Sequence, residues 1–161
     1  DAQGLYEEDL AVERIAAARA AIDARDNDFV LTARVDAFLA GDEDALATCI
    51  RRGNRYLEAG ATCVFTPGAP DMTAVAILAR EIAGPINIVM GLGGAPRDAR
   101  AILAAGVQRI SLGGSFARAA LGLIRQGAGE LRTQGTMAFA ADQTPQAELN
   151  AVFARIRGRT L

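Results

Sequence analysis

Residues 29–38 read Phe29-Val-Leu-Thr-Ala-Arg-Val-Asp-Ala-Phe38. The run opens apolar and then sets Thr32, Arg34 and Asp36 at alternate positions. Alternate residues of a strand share a face. One edge of this element would therefore carry a hydroxyl, a guanidinium and a carboxylate together. Arginine is always charged and holds carboxylate or phosphate through two parallel hydrogen bonds. At the end of a buried strand it is costly without such a partner. Two partners are open: an ion pair with Asp36, or an anion brought to the site.

Outward from this strand the chain repeats itself. Glu-Ala-Gly60-Ala-Thr-Cys-Val-Phe, Ile-Ala-Gly84-Pro-Ile-Asn-Ile-Val and Ala-Ala-Gly106-Val-Gln-Arg-Ile-Ser each read as a helix end, a glycine and a short apolar strand. The spacing predicts strands over 29–35, 61–65, 86–89 and 107–112. Helical periodicity predicts helices over 10–24, 42–59, 72–83, 96–105, 115–133 and 145–157. Asp42 and Asp71 are expected as caps, Gly60 and Gly84 as helix stops, and Pro96 as a first helical residue. Helices between strands mean a parallel sheet. Four such units make half of a (β/α)8 barrel or a small open doubly wound sheet. In both, ligands sit at the carboxyl ends of the strands.

A length of 161 residues fits one domain or part of one, and 51% hydrophobic content is enough to bury a core. The formal charge of -2, the absence of Trp and the lack of a basic patch argue against nucleic acid. No run approaches a membrane span and no signal peptide is visible, so a cytoplasmic protein is expected. There is no histidine. Catalysis must then use carboxylates, arginine, hydroxyls, backbone amides or a hard metal ion. Cys49 and Cys63 have no metal spacing and read as small buried groups.

Among the loops, Gly91-Leu-Gly93-Gly94 reads as a mobile active-site loop rather than a phosphate cradle. Ser111-Leu-Gly113-Gly114-Ser115 offers backbone amides to an anion, or simply a tight turn. Asn87, in an apolar strand, needs a structural or ligand partner. Asp42, Glu43 and Asp44 read as capping and solvation. Leu149, Val152, Phe153 and Ile156 form a stripe that needs a covering surface, in this subunit or a partner.

Five segments resemble the C-terminal half of the isocitrate lyase / phosphoenolpyruvate mutase superfamily, its short bacterial members above all. They are Arg14-Ile-Ala-Ala-Ala-Arg19, Phe29 to Phe38, Arg55 to Phe65, Gly84-Pro-Ile-Asn87 and Gly106 to Gly114. The Ala-Arg-x-Asp-Ala run is the most specific of them. The resemblance implies a (β/α)8 barrel and Mg²⁺-assisted chemistry on a C–C or P–C bond of a small 2-oxo or 2-hydroxy acid, through an enolate-like intermediate. It implies that Arg34, matching the family's fifth-strand arginine, is catalytic and holds a substrate carboxylate. Ser111 and Asn87 match pocket positions on strands eight and seven, and Thr32 and Gly113 adjoin them as further substrate-binding candidates. It also implies a homo-oligomer, dimer or tetramer, in which helix 145–157 swaps between subunits. The family's metal carboxylates and general base would lie outside this chain, with Asp1 like the second residue of a Glu-Asp pair. Thr66-Pro67-Gly68 stands where some lyases carry a glutamate, which argues against isocitrate or methylisocitrate cleavage. The alternatives are a non-catalytic half-barrel that binds or assembles, and, more weakly, a phosphate-binding aldolase fragment.

Overall fold

A computed structural model describes residues 4–25, 28–92, 96 and 98–157. Asp1, Gly93 and Gly94, named above, lie outside the described residues. The chain divides into two compact units, Asp1–Gly113 and Gly114–Leu161.

The first unit runs α1 (Glu8–Asp23), β1 (Thr32–Arg34), α2 (Ala37–Ala40), α3 (Ala45–Glu58), β2 (Cys63–Phe65), α4 (Met72–Glu81), β3 (Ile86–Val89), α5 (Ala99–Ala104) and β4 (Arg109–Ser111). The sheet order is β1-β2-β3-β4, and every pairing is parallel. Each crossover steps one strand in the same direction. Right-handed connections then put the intervening helices on one face. A doubly wound sheet needs a reversal of direction, and the described strands make none. The arrangement is the singly wound wall of a (β/α)8 barrel, and the doubly wound alternative is excluded.

Register separates the two faces. Ala33 pairs with Val64 and Val64 with Ile86; Ile88 pairs with Ile110. This row faces the helices. Ala33, Val64, Ile86 and Ile88 are almost wholly buried there, with Val75 and Leu78 of α4 and Ile102 of α5. Each large aliphatic in this layer contributes about 1.5–3 kcal/mol relative to exposure.

β3 spans the predicted residues, whereas β1, β2 and β4 are shorter than the sequence predicts. Phe29 and Val30 are exposed and precede the ladder. Val35 N–H still donates to Phe65 C=O and Thr62 N–H to Leu31 C=O, so pairing frays rather than stops. Asp71 caps α4 as expected, its carboxylate accepting from Ala74 N–H at 2.8 Å. Pro96 does not begin α5; Asp98 caps that helix, accepting from Arg100 and Ala101 N–H, and it starts at Ala99. Asp42 does not cap α3 directly but accepts from Asp44 N–H in a turn before it. One turn of helix, α2, was not anticipated; it ends at Gly41 with φ +71°.

The three glycine junctions differ physically. Gly60 and Gly106 are left-handed, with φ +101° and +99°. Gly84 is not a helix stop, since α4 has already ended at Glu81. It is needed for room: a Cβ there would lie 3.0 Å from both δ carbons of Leu57.

The second unit comprises α6 (Ser115–Gln134), a 3-10 turn (Ala138–Ala140) and α7 (Gln146–Arg157). The Glu130 carboxylate ties the turn to α6, accepting from Ala138 and Phe139 N–H. Leu149, Val152, Phe153 and Ile156 are 38–60% exposed. Among the described residues no helix is long and apolar enough to cross a membrane.

Candidate functional site

The sheet face turned away from the helices carries the polar residues. Thr32 and Arg34 of β1 lie on it, and the register continues from Arg34 through Phe65 and Asn87 to Arg109. Ser111 follows two residues later on β4, opposite Val89.

Arg34 is the last residue of β1, at the strand's carboxyl end. Its Nε donates to Asp36 Oδ1 at 2.7 Å, and its guanidinium lies 5.4 Å from the Phe65 ring centroid. The side chain remains 51% exposed. Beside it is a cleft of about 240 Å³ whose lining includes Arg34, Asp36, Tyr6, Arg52 and Tyr56. The two readings of Arg34 are therefore compatible. The ion pair exists but engages Nε, and no other hydrogen bond from this guanidinium occurs among the described residues. The two Nη groups face no acceptor among the described residues.

Asn87 and Ser111 are brought together. Asn87 is 2% exposed and donates from Nδ2 to Ser111 Oγ at 3.2 Å. Its Oδ1 is buried with no partner among the described residues. An orphaned buried acceptor costs about 1–3 kcal/mol. Gly113, with φ +52°, turns the chain after β4. A Cβ there would lie 3.6 Å from Val89, so the turn itself accounts for this glycine.

Arg109 was missed by the sequence reading, although its alternation with Ser111 repeats that of Thr32 with Arg34. Its Nη2 donates to Thr32 Oγ1 at 2.8 Å. On a flat sheet β1 and β4 would be about 14 Å apart, three spacings of about 4.8 Å. One arginine and one threonine cannot bridge that gap, so the polar face must be concave, as in a barrel wall. No carboxylate pairs with Arg109 among the described residues.

Both cysteines are buried and free. Burial pushes the Cys49 thiol up to about 12. Burial also raises Cys63, while the charge of Arg109 opposes the rise. Neither is a thiolate near neutral pH, as the sequence reading expected.

A charge cluster anchors α1 to α3 near the same cleft. Glu8 accepts from Arg51 Nε at 3.1 Å and Arg55 Nη1 at 3.0 Å, and Arg52 Nε lies 3.6 Å away. Burial raises the Glu8 carboxyl, but the bonds from Arg55 and Arg51 outweigh it and hold the group below its usual value. A broader depression of about 700 Å³, lined by Arg19, Asp23, Gly60 and Thr62 among others, lies at the amino ends of β1 and β2. That is the wrong end for a ligand in a parallel sheet. Among the described residues no three His, Cys, Asp or Glu groups converge as a metal site. These residues do not by themselves build a Mg²⁺ centre.

Comparison with known proteins agrees with this geometry. No curated protein sequence matches the chain. A Burkholderia cenocepacia J2315 protein provisionally classed as a lyase/mutase is 40% identical with a TM-score of 0.87, over 94% of this chain and 55% of that one. A second protein of that organism, provisionally classed as a phosphonomutase, is 30% identical with a TM-score of 0.69, over 78% of this chain and 53% of that one. Oxaloacetate acetylhydrolase in complex with its product oxalate shares the fold, at 22% identity and a TM-score of 0.78, over 96% of this chain and 56% of that one. The chain thus spans about half the length of these solved relatives. The family model for phosphoenolpyruvate phosphomutase matches residues 1–132, a span that carries Arg34, Asn87, Arg109 and Ser111. By that match, and by its singly wound parallel sheet, the chain belongs to the phosphoenolpyruvate phosphomutase family.

Proposed function

We propose that this chain supplies the carboxylate-anchoring wall of a lyase or mutase acting on a small 2-oxo or 2-hydroxy acid. The reaction cleaves or rearranges a C–C or P–C bond through an enolate-like intermediate. The observation that carries the reading is Arg34: a strand-end guanidinium, half exposed beside a cleft, whose Nη groups have no partner among the described residues. Mg²⁺, held by carboxylates other than the residues described, would supply Lewis-acid charge stabilisation. The chain's own residues bind and orient. Arg34 holds the substrate carboxylate through two parallel hydrogen bonds. Ser111, whose oxygen accepts from Asn87, keeps its own proton to donate to a substrate oxygen. The exposed stripe on α7 supports assembly with further copies of the chain.

Oxalate is a fitting probe because it presents the planar carboxylate of such acids, and a relative of the same fold binds it. Calorimetric titration of the intact protein with oxalate and Mg²⁺ tests the reading. Arg34→Ala should weaken binding about 10- to 100-fold, the loss of one or two charge-assisted hydrogen bonds. Unchanged affinity in Arg34→Ala would remove the anchor and the reading with it.

A further inference from the structure

Asp36 stands at the N-cap position of α2, yet it leaves that helix uncapped. An aspartate there normally accepts a backbone N–H of the first turn. Asp71 and Asp98 do so for α4 and α5. Asp44 also leaves its helix uncapped, but it pairs with no arginine among the described residues. Asp36 has φ -92° and ψ 18°, unlike the extended backbone of Asp71, and its carboxylate turns back to Arg34 Nε at 2.7 Å.

The choice of atom matters. A guanidinium can hold a carboxylate along the edge that contains Nε, or end-on through its two Nη groups. With Nε given to Asp36, the first edge is closed and the end remains. Phe65 lies against the same guanidinium and limits its tilt. We propose that Asp36 is a positioning residue, which locks Arg34 so that it meets its ligand end-on through the Nη pair. The inference rests on the reading of Arg34 as the carboxylate anchor. The competing account is an ordinary half-exposed ion pair, contributing little and orienting nothing.

The two accounts separate by variant. In Asp36→Asn the side-chain carbonyl still accepts from Nε. Serine is too short to reach Arg34 but is a good cap for α2. With oxalate and Mg²⁺ on the intact protein, Asp36→Asn should bind within about threefold of the parent. Asp36→Ser and Asp36→Ala should bind about tenfold more weakly, the worth of one oriented charge-assisted hydrogen bond. The thermal midpoint of Asp36→Ser should not fall, so a loss of binding cannot be a loss of folding. In proton NMR the Arg34 Nε–H should be protected from exchange in the parent and Asp36→Asn, and lost in Asp36→Ser. If Asp36→Ser or Asp36→Ala binds oxalate as tightly as the parent, or tighter because a negative charge is gone, the positioning role is overturned while Arg34 keeps its own. Normal binding by Arg34→Ala would instead bring down the anchor reading underneath.

Discussion

Arg109 and Thr32 sit on the two outermost strands of the sheet, and the guanidinium of one donates to the hydroxyl of the other at 2.8 Å. The contact crosses β2 and β3, and the Cys63 thiol of β2 feels the arginine's charge. Arg109→Met should cost about 0.5–1.5 kcal/mol, the net worth of an exposed hydrogen bond to a charged group, read as a lower denaturant midpoint. It should also raise the Cys63 thiol further, because the charge that opposes burial is gone. A thiolate absorbance titration with Cys49 replaced by alanine measures this, and a downward move would contradict the account.

The Glu8 cluster gives a pH dependence with a definite sign. A carboxyl held below its unfolded value binds fewer protons folded than unfolded. Its stabilisation is present above about pH 4.3, the unfolded value, and is lost as pH falls through the lower folded value. Glu8→Gln should cost about 1–2 kcal/mol near neutral pH, between the values for surface and buried pairs. The gap between variant and parent should close below about pH 4, at the unfolded carboxylate value. Urea denaturation at pH 7 and pH 3 checks it; an equal gap at both would assign Glu8 a packing role only.

Gly60 and Gly84 should both be crowded when replaced by alanine, but only Gly60 adds backbone strain. Gly60→Ala forces a left-handed backbone at φ +101° onto a side chain and should cost about 1–3 kcal/mol. The added Cβ would also lie 2.5 Å from Arg19 Cγ, so Arg19→Ala should recover the crowding part of the loss and leave the backbone part. Gly84→Ala crowds Leu57 at 3.0 Å, so Leu57→Ala should compensate part of the loss. Double-mutant cycles on the two pairs distinguish strain from crowding.

Much of this architecture is legible in the sequence. The helix–glycine–strand repeat around Gly60, Gly84 and Gly106 announced four parallel units, and Asp71 announced its cap. The winding was not legible, because local sequence does not say to which side a strand steps. That choice is made by pairings such as Val64 with Ile86, between residues far apart in the chain. Arg34 was legible as a strand-end cation, but the division of its donors between Asp36 and an open cleft was not. Arg109 went unread because its partner, Thr32, is separated from it by two intervening strands and 77 residues. Alpha helix α2 escaped because a single turn carries too few residues to show a period.

The strictly sequential strand order has a bearing on how the chain finds this shape. Each strand pairs only with its successor, so no pairing requires closing a segment much longer than one helix, and the entropy lost at each step stays small. The bond from Arg109 to Thr32 is the exception. It joins the two edges of the sheet, so it depends on all three pairings and on the curve they impose together.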